Sequence, residues 1–258
     1  MGRFEAAART TRRSRRDACP LPRGAPVTPS PESIAAVDAA ITSRRATRAF
    51  LPTPVPRQTV EDILAVASRA PSGTNVQPWK VYVLTGEAKA ALSRKILDVF
   101  DDPVALAQHS EEYVYYPTEW VSPYIERRRK IGWDMYGLLG IAKGDKAKMH
   151  AQFGRNYVFF DAPVGLMFTI DRIMCQGSWL DYGMFVQNVM VAARARGLHT
   201  CPQVAFLQFH RIITDHVGAP ASEMLVCGMS LGHADPSAPV NALVTERAPV
   251  SEFARFIE

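Results

Sequence analysis

The sequence predicts a single α+β domain built on a mixed central sheet surrounded by helices. Three observations support this. At 258 residues with 47% hydrophobic composition, the chain can bury a substantial core within one domain. Short β-rich runs alternate irregularly with helical patterns, without the strict strand-helix order of a doubly wound fold. No apolar stretch approaches the roughly eighteen residues that cross a bilayer; Phe159 to Ile170 is interrupted by Asp161 and Pro163.

Residues 1–29 form an extension of different character. They hold seven arginines against Glu5 and Asp17, which accounts for the whole formal charge of +5 and leaves the rest of the chain near neutral. The segment is rich in Arg, Pro and Ala and lacks apolar periodicity, so it reads as a disordered, solvated tail. It has no interleaved aromatics of the kind that bind nucleic acid. Arg15-Arg16 is followed by Asp-Ala-Cys-Pro and not by an apolar run, which argues against a secretory or twin-arginine signal. Cys19, Cys175, Cys201 and Cys227 are widely spaced, suggesting neither a zinc site nor a disulfide framework and fitting a reducing cytoplasm.

The folded part, residues 30–258, opens with Ser30-Pro31, a capping hydroxyl before a proline at the first helical position. Ile34, Val37 and Ile41 then share a helix face, and the helix delivers Arg44, Arg45 and Arg48 at its end. A second helix opens near Pro56, buries Val60, Ile63, Leu64 and Ala67, and stops before Pro71. After a polar loop come a strand at Trp79 to Leu84 and a helix from about Glu87 to Phe100. His109 to Lys148 sets many aromatics among charges and reads as a helical flap with an aromatic surface. Pro163 to Ile170 reads as a buried strand. Ser178 and Asp181 form an acidic variant of the capping box for a long central helix ending at Gly197. The remainder reads as a turn at Cys201 to Phe206, a helix near Leu207 to Val217, a strand at Glu223 to Leu231, a Pro-rich turn, and a final helix from about Ser251.

Several motifs compete for the chemistry. Gly228-Met-Ser230-Leu-Gly232 matches the nucleophile elbow of serine hydrolases and follows a strand. An elbow needs a helix directly after the serine, however, and His233-Ala-Asp-Pro-Ser-Ala-Pro cannot begin one. The one histidine beyond Ser230, His233, is also too close to follow an intervening acid. Gly140 to Lys146 is one residue short of a phosphate-binding P-loop and lacks its ending, and no dinucleotide fingerprint follows a strand. The six histidines show no metal-ligand spacing.

Three segments carry the sharper signal: Ser43-Arg-Arg-Ala-Thr-Arg-Ala-Phe50, Ala70-Pro-Ser-Gly-Thr-Asn-Val-Gln-Pro-Trp79, and Leu231 to Asn241 together with Arg247. As a set, in this order, they resemble the nitroreductase family of flavoproteins from about residue 33 to the C-terminus. The middle region, with Trp120, Pro123-Tyr124, Arg127 to Arg129 and Leu139 to Ile141, is similar to the bacterial branch that includes nitrobenzoate-type reductases. The resemblance implies a homodimer with FMN at its interface and NADPH or NADH as co-substrate. It further implies a small electron-poor aromatic acceptor, with nitro groups reduced stepwise to nitroso and hydroxylamine. Related proteins of this architecture act instead on quinones, free flavin or halogenated aromatics, or bind flavin without turnover.

The residues suit those roles. Arg44, Arg45, Arg48 and Arg247, with the backbone at Ala46, would meet the FMN phosphate through forked, charge-assisted hydrogen bonds. Each such pair at about 4 Å supplies up to roughly 4 kcal/mol before desolvation. Pro71, Ser72, Gly73 and Asn75 offer a tight turn with exposed amides for the flavin ring and ribityl chain, contributed in the family by the opposite subunit. Pro202, Gln203, Val204 and Ala205 stand where the family sets a backbone N–H against flavin N5, with Val204 or Ala205 as the donor. The acidic-glycine pair frequent there is missing. Gly232 completes the cofactor set, and Asp181 stands where some relatives carry Gln. Flavin N5 does the chemistry, so no catalytic side chain is expected, and reduced nicotinamide and acceptor would use one flavin face in turn, a ping-pong scheme. Trp120, Tyr124, Trp133 and Tyr136 are the candidates for acceptor selection, or alternatively for packing a dimer core.

Overall fold

A computed structural model describes residues 28–258, so the expected Arg-rich extension lies, apart from its last two residues, outside the described residues. Four strands, β1 (Lys80–Thr85), β2 (Val164–Asp171), β3 (His199–Gln203) and β4 (Glu223–Gly232), form one sheet in the order β1-β2-β4-β3. Every pairing in it is antiparallel, which corrects the mixed sheet expected from sequence. Helices between strands accommodate either strand direction, and the parallel component is reduced to a single bridge between Ala46 and Thr200.

The central strands β2 and β4 are buried almost throughout, because helices cover both faces of the sheet. On one face lie α2 (Arg57–Ala67) and the long α7 (Gln176–Arg194), packed on Leu166, Phe168, Ile170, Met229 and Leu231. On the other lie α3 (Gly86–Phe100), α8 (His210–Val217) and the 3₁₀ segments Arg155–Asp161 and Val204–Phe209, packed on Met167 and Leu225. A register shift at Phe168/Thr169 lets successive residues Val226 and Cys227 of β4 serve the same core.

Three glycines of the sheet are fixed by close approach. A Cβ on Gly165 would collide with the Phe159 ring, one on Gly228 with Phe206, and one on Gly232 would sit 2.6 Å from Pro163 Cδ. The second and third are the outer residues of the elbow-like motif, so packing explains its glycines.

Most elements fall where the residue pattern places them. Ser30 Oγ accepts from Ser33 N at 3.2 Å and caps α1 (Pro31–Thr42), yet Ile34, Val37 and Ile41 on its apolar face are 52%, 56% and 46% exposed. Two elements differ from the expectation. Helix α7 starts at Gln176, with Cys175 at its N-cap position and no side-chain cap; Ser178 lies inside it, and Asp181 bonds elsewhere. Cys201 to Phe206 is not a turn but the end of β3 running into a 3₁₀ helix, because Cys201, Pro202 and Gln203 pair with Ser230, Met229 and Gly228. A short helix α4 (Pro103–Leu106) precedes the flap, which contains α5 (Tyr124–Leu138), which buries no residue, and the start of α6 (Lys146–Gly154); the final helix α9 is one turn, Val250–Phe253. Among the described residues no helix is long and apolar enough to cross a membrane.

A polar knot closes one end of the sheet. The buried Glu223 carboxylate accepts from Thr169 Oγ1 at 2.5 Å and Tyr82 OH at 2.9 Å and pairs with Lys80 Nζ at 3.0 Å, while Lys80 reaches Asp171 at 2.8 Å. Burial pushes its pKa up, but the bonds from Thr169, Lys80 and Tyr82 outweigh burial and hold it below the usual value.

Glu223 therefore contributes stability that is complete above its unfolded pKa of about 4.3 and fades as pH falls through the folded value. Urea unfolding between pH 6 and pH 3.5 should show a steeper acid loss for the wild type than for Glu223→Gln; parallel profiles would contradict this. Gly165→Ala, by overpacking against Phe159, should lower stability by about 1–3 kcal/mol, read as a fall in urea midpoint at unchanged slope.

Candidate functional site

Beyond α1 and its C-cap Ser43, the chain runs from Arg44 to Phe50 along the end of β3. Thr47 N donates to Thr200 O at 3.0 Å, and Ala46 forms the parallel bridge to the same residue. The other side of this strip is fixed by Asn241. Its Oδ1 accepts from Arg48 N at 2.8 Å, and its Nδ2 donates to Ala49 O at 2.8 Å and Asp235 O at 2.9 Å. Asp235 N returns a bond to Ala49 O at 3.0 Å. One carboxamide thus ties the arginine strip to the turn after β4; Asn241 ends the segment Leu231 to Asn241, but its own role is not evident from sequence.

The strip gathers positive charge without neutralising it. Among the described residues none of Arg44, Arg45, Arg48 and Arg247 pairs with a carboxylate; Arg247 donates only to Thr245 and Glu246 O, its own chain neighbours. Burial, and then the nearby Arg247 charge, hold the Arg44 pKa below its usual value. Burial pushes the Cys201 thiol up to about 11 despite the opposing pull of Arg48 and Arg44, which places both guanidinium groups near this end of β3. Arg45 adjoins His199, whose pKa is lowered by burial and by Arg194, His233 and Arg45. Arg194, which the sequence reading missed, donates to Ser43 Oγ at 2.9 Å and lines a narrow cleft with Arg44, Arg45 and His199. At the end of a helix an arginine looks like an ordinary partner of the dipole, so sequence alone gave it no distinguishing signal.

Uncompensated guanidinium groups that repel one another fit a multiply charged anion, which would remove the repulsion and accept forked hydrogen bonds. By contrast, a cavity of about 480 Å³ between α2 and β1 is lined by Val55, Val60, Leu64, Val83 and a self-neutralising Arg57–Glu61 pair, and holds none of the expected residues.

The turn Pro71 to Gln77 lies apart from the strip. Thr74, Asn75 and Gln77 all have positive φ, at 49°, 61° and 48°. Three such residues so close together store strain that the surroundings must hold. Ser72 Oγ accepts from Gln77 N at 3.0 Å, and Asp181 Oδ2 accepts from Gly73 N at 3.0 Å. Asp181 is therefore an anchor for the turn and not the expected helix cap. Pro71, Gly73 and Asn75 are exposed, and the Asn75 carboxamide makes no hydrogen bond among the described residues. The strip meets α7 at Arg194 and the turn meets it at Asp181, thirteen residues earlier, about 20 Å along the helix. One chain does not bring the two groups together.

Pro202 is exposed, Val204 and Ala205 are partly buried, and the Gln203 side chain is wholly internal. Gly232 is buried against Phe50 and Pro163. The flap aromatics have different neighbours: Trp120 is tilted against Tyr116 and lies under Arg128, whose guanidinium carbon is 4.7 Å from its ring centre, whereas Trp133 lies under Lys143. Tyr124 is exposed and, like Tyr136, has no aromatic partner among the described residues. The hydrolase reading is closed by Ser230, which is 0% exposed and spends its hydroxyl on Gln203. Among the described residues no cluster of His, Cys, Asp or Glu could hold a metal.

Residues 41–233 match the sequence profile of the Nitroreductase family. A 4-nitrobenzoate reductase of Pseudomonas putida is 46% identical over 220 residues, covering 85% of this chain and 95% of that protein. A chloronitrobenzene nitroreductase of Comamonas testosteroni is 39% identical, covering 86% of this chain and 96% of its own. The crystal structure of the FMN-dependent nitroreductase NfnB from Mycobacterium smegmatis, in complex with NADPH, superposes with a TM-score of 0.82 at 29% identity, covering 87% of this chain and 99% of its own. With the profile spanning most of the folded domain and near-complete alignment to relatives at this identity, the chain belongs to the nitroreductase family.

Proposed function

We propose that this chain is an FMN-dependent oxidoreductase that uses NADPH or NADH to reduce nitroaromatic acceptors, working as a cytoplasmic homodimer by a ping-pong scheme. The observation that carries the reading is the arginine strip, which has no carboxylate partner among the described residues and fits the phosphate of a mononucleotide. Arg44, Arg48 and Arg247 would hold that phosphate, with Arg45, Arg194 and the backbone at Ala46 beside it. Pro71, Ser72, Gly73 and Asn75 of a second copy would border the ring, because within one copy the turn sits a helix length away from the strip. The exposed aliphatic face of α1 supports pairing of copies. The names of the curated relatives, reductases of 4-nitrobenzoate and chloronitrobenzene, support the acceptor class.

Bound FMN would supply hydride acceptance and delivery. The chain's own groups then have binding and orienting tasks. The guanidinium groups would neutralise the phosphate, the strained turn would offer its amides and the Asn75 carboxamide to the ring, and the backbone of Pro202, Gln203, Val204 and Ala205 would border its reactive edge. Gly232 supports this assembly from behind, through Phe50 and Pro163. Trp120, Tyr124, Trp133 and Tyr136 would select the acceptor from the flap.

Arg44→Ala and Arg247→Ala should each weaken FMN binding by about 1.5–3 kcal/mol, a factor of roughly 10–150, and together strip the cofactor with circular dichroism unchanged. Stoichiometric flavin retained by the double variant would refute the phosphate assignment. The shared site has its own test. Chains carrying Arg44→Ala with Arg247→Ala, refolded with chains carrying Asn75→Ala with Asp181→Ala, should regain flavin in about a quarter of the sites, since half the dimers are mixed and each mixed dimer restores one site. No recovery in the mixture would refute a site built from two chains.

A further inference from the structure

The sequence singles out Ser230 for a hydrolase that the structure excludes, and leaves Gln203 as one of four residues beside the flavin. The structure joins the two. Ser230 Oγ donates to Gln203 Oε1 at 2.6 Å, and Gln203 Nε2 donates to Asn156 O at 2.8 Å and lies 3.3 Å from Asn156 Oδ1. Gln203 is 2% exposed and Ser230 is 0% exposed. A buried carboxamide is costly unless each of its groups is satisfied; here both ends are, and such a network defines geometry more sharply than apolar packing of equal volume.

What it defines is the chain leaving β3. Gln203 ends the ladder opposite Gly228, and its side chain spans from β4 to the 3₁₀ segment Arg155–Asp161. Two residues on, Ala205 O accepts from the OH of fully buried Tyr157 at 3.4 Å. The next residue, Phe206, lies directly on the bare Cα of Gly228. Residues 203, 205 and 206 are each held from a different direction, while Val204 and Ala205 stay partly exposed.

We infer that Ser230, Gln203 and Tyr157 are positioning residues that fix the Val204–Ala205 backbone so that its N–H meets the flavin at a set distance and thereby sets the cofactor's reduction potential. The inference rests on the proposed reading that residues 202–205 border the flavin ring. A donor held rigidly at the redox locus favours one oxidation state over the other by an amount that depends on its placement. Loosening the donor changes that preference, while the arginines, which take no part in the relay, keep the phosphate.

The test uses the full-length, FMN-loaded protein with Ser230→Ala and, because a buried vacancy in β4 could impair folding, Tyr157→Phe, which keeps the ring and removes only the hydroxyl. Three quantities are measured: amide hydrogen exchange at residues 203–206 with and without FMN, the dissociation constant of oxidised FMN, and the two-electron midpoint potential. Exchange at 204 and 205 should quicken at least about tenfold, and oxidised FMN should bind within about threefold of wild type. The potential should move by about 30 mV, equivalent to a tenfold change in relative affinity for the two oxidation states. Unchanged exchange in both variants would overturn the positioning role itself. Faster exchange with an unmoved potential would show a relay that holds the turn but a turn that does not face the flavin, overturning the reading of residues 202–205 and the inference with it.

Discussion

Holding several guanidinium groups together with no carboxylate partner among the described residues is unfavourable, and a set of long-range backbone and carboxamide bonds maintains that arrangement. Burial of Arg44 is costly, and the like charge of Arg247 adds to that cost. The strip would relax into solvent if its backbone were free. It is kept in place by the carboxamide of Asn241, the bridge to Thr200 and the return bond from Asp235, which together use main-chain groups on both sides of the extended segment. The backbone of the strip is thus fastened on both sides, and a phosphate bound there would relieve the repulsion among its guanidinium groups.

The same logic runs through the rest of the site. The strained turn at Thr74 to Gln77 persists because Ser72 and Asp181 hold its amides, and the exit from β3 is pinned by a buried relay. Each unit is a short irregular segment fastened to a regular element by one or two polar side chains. The regular elements are in turn fixed by the two apolar cores on either face of the sheet.

The legibility of these features in sequence follows from their physics. Periodicity revealed α2, α3 and β2 because apolar spacing is a local property, and Ser30-Pro31 revealed the start of α1 because capping is local too. Strand direction was hidden, since pairing partners are distant in sequence and intervening helices permit either sense. The Ser178–Asp181 pair looked like a cap because local spacing matched; the true bond of Asp181 reaches back to Gly73, across 108 positions. Asn241 and Arg194 went unrecognised for the same reason, each acting through partners far along the chain. Ser230 shows the opposite error: its motif is local, but burial, which decides its chemistry, is not.

One geometrical consequence follows from α7. Its N-terminal part fastens the turn and its last turn meets the arginine strip, so the helix acts as a ruler between two separate pieces of machinery. Deleting a single residue between Asp181 and Arg194 would shorten it by about 1.5 Å and swing one end about 100° relative to the other. Side chains on its surface can vary, but the number of residues in that interval cannot change without dismantling one attachment or the other.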